Sequence, residues 1–129
     1  MKLVTNEWVL LAEDDLRSAK RGFRARKLPS YASACYHAQQ CAEKYLKALL
    51  QERGIAVPRS HDLPKLVSLI QPALPELILL RNDLKALTGM AVEVRYPGAA
   101  VEKEDARQAI KVAERVRAIL RLHLKFSAD

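Results

Sequence analysis

Cysteine is scarce: the 129 residues contain two, Cys35 and Cys41. They lie six apart within a helical pattern, on different sides of one helix, where they can neither pair with each other nor chelate a metal. A disulfide framework is excluded, and both are expected as small core residues. Histidine is as sparse. His37, His61 and His123 are scattered and form none of the paired spacings of a zinc site, so no metal and no cofactor is expected. No apolar run approaches the length of a membrane-spanning helix, and the N-terminus lacks a basic segment followed by a small-residue cleavage site. The expectation is a cytoplasmic protein with no membrane association. Aromatic residues make up 5% of the chain. Tyr36, Tyr45 and Tyr96 do not interleave with basic residues in the array that marks a platform for single-stranded RNA. Tyr31 and Tyr45 are expected in the core.

What the chain does have is apolar residues, half of the total, and a surplus of cations: 22 Lys and Arg against 15 Asp and Glu, for a net charge of +7. At this length one domain spanning 1–129 can build a core without staples. The surplus has no tail to live in, since residues 1–64 carry 11 basic and 7 acidic groups and residues 65–129 carry 11 and 8. A folded surface with this balance attracts polyanions through long-range, salt-sensitive forces.

Helical periods account for nearly all of the chain. Thr5 or Asn6 is expected to cap a first helix ending near Lys27, with Trp8, Ala12, Leu16, Ala19 and Phe23 along its core stripe. Its acidic residues come early and its basic ones late, an order that complements the helix dipole. More cations crowd the end than capping requires, and Arg17, Arg21 and Arg24 share a face that could bind RNA or another polyanion. Ser30 caps a second helix, from Tyr31 to Arg53, that buries Tyr31, Ala34, Cys35, Ala38, Ala42, Tyr45 and Leu49, pairs Glu43 with Lys47, and stops at Gly54. Ser60 or Asp62 caps a short helix through about Ile70. Leu77, Leu80, Leu84 and Leu87 fit a helix from Glu76 to Leu87 closed by Gly89, and Arg95-Tyr96-Pro97-Gly98 reads as a turn. A last helix, from Glu102 to about Phe126, buries Ala106, Ala109, Ile110, Ala113, Val116, Leu120 and Leu124. No strand or repeat competes. The fold expected is all-α, an up-and-down antiparallel helical bundle of four to five helices.

The stretch from Tyr36-His37-Ala38-Gln39-Gln40 through Leu50, then His61-Asp62-Leu63, then Arg95-Tyr96-Pro97-Gly98, resembles the prokaryotic HEPN domain family. Ala12, Asp15-Leu16 and Ala19 look like that family's opening pattern, so the resemblance covers almost the whole chain. It implies a helical bundle, usually a homodimer, often encoded beside a minimal nucleotidyltransferase with which it forms a complex or a toxin and antitoxin pair. Members with ribonuclease activity carry an arginine followed after four to six residues by a histidine. Arg95 matches the arginine, but Ala100, Val101 and Glu102 stand where the histidine should fall. The one literal match, Arg117 with His123, lies within the last helix at a step that separates the side chains by about 120°, and is read as chance.

Metal-free RNA cleavage needs a proton acceptor, a proton donor and a cation against the phosphate. Arg95 could supply the cation, and His61 or His37 would have to move the proton. His37, Gln40 and Lys44 recur at i, i+3 and i+7 and share one side of the second helix, so with Arg95 and Tyr96 they could form a nucleotide or phosphate groove. The competing readings are structural: His61 holding its turn against the bundle, and His37, Gln40 and Lys44 as a solvated or partner-facing flank. The leading expectation is a non-enzymatic subunit that binds nucleotide or RNA and works with a nucleotidyltransferase. A ribonuclease toxin and a pure protein-interaction subunit are the alternatives.

Overall fold

The computed structural model describes residues 1–125, and these form six helices and no strand: α1 (Leu3–Arg24), α2 (Tyr31–Glu52), α3 (Leu63–Leu69), α4 (Pro75–Ile78), α5 (Arg81–Glu93) and α6 (Lys103–His123). Phe126, the expected end of the last helix, lies outside the described residues. The long helices alternate in direction: α1, α2, α5 and α6 run up, down, up and down, with α3 and α4 beside the bundle. The register shows in the cross-links, since Lys2 meets Glu52 and Phe23 meets Tyr31 across α1 and α2. α2 lies at the centre and packs against α1, α3, α5 and α6.

The local reasons follow the sequence closely for α2. Ser30 Oγ accepts the Ser33 amide at 3.2 Å, and Gly54 ends the helix at φ 71°. The small residues Ala34, Cys35, Ala38 and Ala42 are all fully buried, which allows α1 and α6 to approach closely. Asp62 rather than Ser60 caps α3, accepting the Lys65 amide at 3.2 Å. Glu102 and Asp105 form a capping box that starts α6. Its expected stripe, from Ala106 to Leu124, is buried throughout. On α1, Ala12, Leu16 and Ala19 are buried while Trp8 and Phe23 pack at the rim of the core.

Four features of the helix boundaries differ from the sequence reading. α1 begins at Leu3, not at Thr5 or Asn6, because Lys2 is docked on the end of α2: its amide donates to Glu52 at 2.9 Å and its ammonium to the Gln51 carbonyl at 3.1 Å. α1 also stops early, at Arg24, where the chain turns so that the Ser30 amide reaches the Gly22 carbonyl at 3.0 Å. The helix expected from Glu76 to Leu87 is broken at Leu79 and Leu80. α4 packs on α6 while α5 packs on α2, α3 and α6, and one straight helix would not serve both. Gly89 does not end α5. The burial of Ala91 beyond it offsets the helix-interior cost of a glycine, about 1 kcal/mol.

These two glycines make opposite predictions. A Cβ at Gly89 would meet nothing within 4 Å, so Gly89→Ala is expected to stabilise the protein by about 0.5–1 kcal/mol. Gly54 has φ 71°, so Gly54→Ala is expected to cost about 1 kcal/mol. Urea denaturation of both variants reads the difference directly.

Candidate functional site

Because α2 is enclosed, its polar side chains are ordered by partners inside the bundle. On the side facing α1, Asp15 receives both His37 Nδ1 at 2.8 Å and Lys44 Nζ at 2.5 Å. On the opposite flank Glu43, only 3% exposed, receives Lys47 Nζ at 3.0 Å, His61 Nδ1 at 2.8 Å and Gln39 Nε2 at 3.2 Å. Gln39 also donates to the His61 carbonyl at 3.0 Å, and Gln40 donates to Gln39 at 2.8 Å. Lys47 further lies 5.7 Å from the Trp8 ring centroid. The Glu43 and Lys47 pair read from the sequence is therefore present, buried, and used to hold the His61 turn.

A third carboxylate links α1, α2 and α6. Glu13 takes Arg117 in a bidentate pair, at 2.7 and 2.9 Å, and also accepts the Tyr45 hydroxyl, to which Arg121 donates at 3.3 Å. The match between Arg117 and His123 dissolves in this geometry: Arg117 is committed to Glu13, and His123 lies 3.2 Å from Glu76. Cys35 and Cys41 are both buried and unpaired, as expected, and burial pushes the Cys35 thiol up to about 11.

Among the predicted site residues the structure brings some together and separates others. Arg95 is exposed and lies 5.4 Å from the Tyr36 ring centroid, and the same ring meets His37 edge-on at 5.3 Å. Arg95 and His37 thus share one corner of the bundle. Lys44 is turned to Asp15, and Gln40 is buried against Gln39, so these two do not open onto a common groove with Arg95. His61 docks near Glu43, two helical turns or about 10 Å along α2 from the level of Tyr36. Tyr96 is 66% exposed and, with Pro97, Gly98, Met90, Glu93 and Asp105, lines an open groove of about 990 Å³ between α5 and the start of α6. Arg17, Arg21 and Arg24 line one cleft with Lys20, of about 520 Å³. The residues that sequence reasoning missed are the acceptors. Asp15 appeared only as part of a pattern and Glu13 only among the unnamed acidic residues early in the first helix, since nothing local ties either to α2.

The sequence matches the family described as HEPN domain over residues 5–123. The chain belongs to the HEPN family. Two solved structures share the fold of this HEPN domain. TT1696 from Thermus thermophilus is 26% identical with a TM-score of 0.79, over 92% of this chain and 96% of that one. ST0689, an archaeal HEPN homologue, is 26% identical with a TM-score of 0.74, over 96% and 99%. Among curated proteins none matches the sequence significantly. No helix among the described residues is long and apolar enough to cross a membrane.

The electrostatics of the HEPN bundle give a pH dependence. Burial acts to raise the Glu43 carboxyl, but the hydrogen bonds from His61, Lys47 and Gln39 and the Lys47 charge outweigh it, and the net effect is below the ordinary 4.5. Glu13 follows the same logic, with Arg117 and Tyr45 overcoming burial. A carboxylate depressed in the folded state contributes stability that is full above its unfolded value and lost as pH falls through the folded one. Glu43→Gln, which leaves Lys47 buried beside a neutral amide, is expected to cost about 3 kcal/mol at pH 7. Urea midpoints measured from pH 7 to pH 3 should show the gap between wild type and variant shrinking below pH 4.5.

Proposed function

We propose that this HEPN domain is a nucleotide- or RNA-binding accessory subunit, acting as a homodimer with a separately encoded minimal nucleotidyltransferase in a system of the toxin and antitoxin type. The observation that supports phosphate binding is the condition of Arg95. Its guanidinium is exposed, rests on the Tyr36 ring, and forms no ion pair among the described residues. An aromatic face positions an arginine without using its fork of N–H donors, which stay available to a phosphate. His37, fixed by Asp15 beside the same ring, and exposed Tyr96 offer polar and stacking contacts to a ribose or base. Lys44 and Gln40 act behind this corner, Lys44 by neutralising Asp15 and Gln40 by packing.

Thermal melting with ATP, GTP and their monophosphates tests the reading. At ten times Kd a ligand of the folded state raises the midpoint by about 4 °C or more, and Arg95→Ala should abolish the shift. Absence of any shift with wild type would sink it. Co-purification from the native host identifies the partner, and a nucleotidyltransferase is the expected one.

A second reading is favoured by one contact. Since His37 and Arg95 meet the same ring, a ribonuclease here would use His37 rather than His61. Asp15 would hold Nδ1 and orient the imidazole, leaving Nε2 to accept the 2′-hydroxyl proton as that oxygen attacks phosphorus and to return it to the departing 5′-oxygen, while Arg95 met the phosphate charge. That enzyme is expected to be toxic when expressed alone, with toxicity and RNA cleavage both lost in Arg95→Ala and in His37→Ala. A harmless wild type that leaves cellular RNA intact excludes it.

A further inference from the structure

The cations at the end of α1 do not stand alone. Lys20 and Arg24 line not only the cleft shared with Arg17 and Arg21 but also a pocket of about 260 Å³ between α1 and α6, closed on the other side by Arg107, Ile110, Lys111 and Glu114. Phe23 forms part of that pocket's wall. Its ring has Arg107 at 5.6 Å and Lys103 at 5.9 Å from the centroid, and Tyr31 at 6.1 Å between ring centroids. Along the same interhelical seam a further pocket of about 320 Å³ runs from Lys20 past Glu114 to the pair of Glu13 with Arg117. The seam is therefore sealed at one end by a bidentate ion pair and open at the other, where cations from two helices surround an aromatic ring.

We infer that the open end of the α1 and α6 seam is a binding cleft for single-stranded RNA, with Arg17, Lys20, Arg21, Arg24, Arg107 and Lys111 against the phosphates and Phe23 against one unpaired base. This deepens the RNA-binding reading above and rests on it for the ligand class, but it uses a different surface from the Arg95 corner. Charge selects a polyanion. Arg21, Arg24 and Lys111 form no ion pair among the described residues, and the carboxylates nearby, Asp14, Glu104 and Glu114, each engage one cation that is itself at the surface. The aromatic ring selects the single strand. A base can reach Phe23 only when it is unstacked and unpaired, and the recess is too small to admit a duplex. The basic and aromatic array that the sequence lacks as a continuous stretch is assembled here from two helices some eighty residues apart.

Fluorescence anisotropy of the full chain with a labelled single-stranded RNA of about 12 nucleotides tests this, within the site sizes usual for such binders. Wild type should bind with a log affinity that falls steeply with log salt, and should prefer the single strand to the same sequence annealed as a duplex. The double variant Arg107→Glu, Lys111→Glu should weaken binding at low salt by about tenfold or more and flatten the salt slope. Phe23→Leu, which keeps apolar packing, should weaken it about threefold or more while leaving the slope unchanged. The control Arg59→Glu, Lys65→Glu makes the same change in net charge at exposed sites before and on α3, away from both binding surfaces, and should retain binding. Equal loss in that control, equal affinity for the duplex, or indifference to the Arg107 and Lys111 reversal overturns the cleft. Loss of the mononucleotide shift in Arg95→Ala reads the Arg95 corner, and the Arg107 and Lys111 reversal reads the cleft, so either proposal can fail without the other.

Discussion

The enclosure of α2 is the constraint on which the other features of this HEPN domain depend. Helices on several sides leave Gln39, Gln40, Glu43 and Lys47 buried, and an unpaired charge or amide in such a place costs several kcal/mol. Each of these groups must be satisfied from within the protein. Glu43 gathers an ammonium, an imidazole and an amide; Asp15 gathers an imidazole and an ammonium; Glu13 gathers a guanidinium and a phenol. The consequences reach beyond stability. Glu43 fixes the turn at His61, which leads into α3, and Asp15 fixes His37, beside which Tyr36 receives Arg95. The candidate site is thus positioned by the same pairs that make the core tolerable.

Much of the fold was legible because it rests on local chemistry. Apolar spacing placed α1, α2 and α6, and Ser30, Gly54 and Asp62 marked helix ends through side-chain caps or a positive φ that act within a few residues. What was not legible is set by tertiary docking. The start of α1 depends on Lys2 reaching the end of α2, fifty residues away. The break between α4 and α5 falls inside an unbroken leucine period, Leu77, Leu80, Leu84 and Leu87, so the pattern offered no warning.

The site divides in the same way. The Arg95 turn was visible as a motif, and its lack of the expected downstream histidine was visible too. The fate of the flank formed by His37, Gln40 and Lys44 was not. A helical period gives the angle at which a side chain leaves the helix, whereas its partner is decided by which element covers that angle. Asp15 covers His37 and Lys44 from a separation of 22 and 29 residues, and a charged flank that looks solvated on a wheel proves to be internal wiring. The cleft was half legible for a related reason: Arg17, Arg21 and Arg24 lie within one helix, but Arg107, Lys111 and Phe23 join them only after folding.

Charge distribution ties these results together. Along the sequence the excess of cations is even, which offers no clue to where a polyanion would bind. Folding sorts it. Three carboxylates at the interior seams hold Lys44, Lys47 and Arg117, each partly or wholly buried, and those cations are neutralised where their charge would be most costly. Among the cations left with weak, exposed partners or none, one group from two helices lies at the mouth of the α1 and α6 seam, where solvent screens surface ion pairs to a few tenths of a kcal/mol and incoming phosphates can displace them, and Arg95 stands at its own turn. A net charge of +7 therefore understates how many cations meet at the mouth of that seam. The ion pairs that hold the bundle shut also determine which of its cations remain available to a ligand.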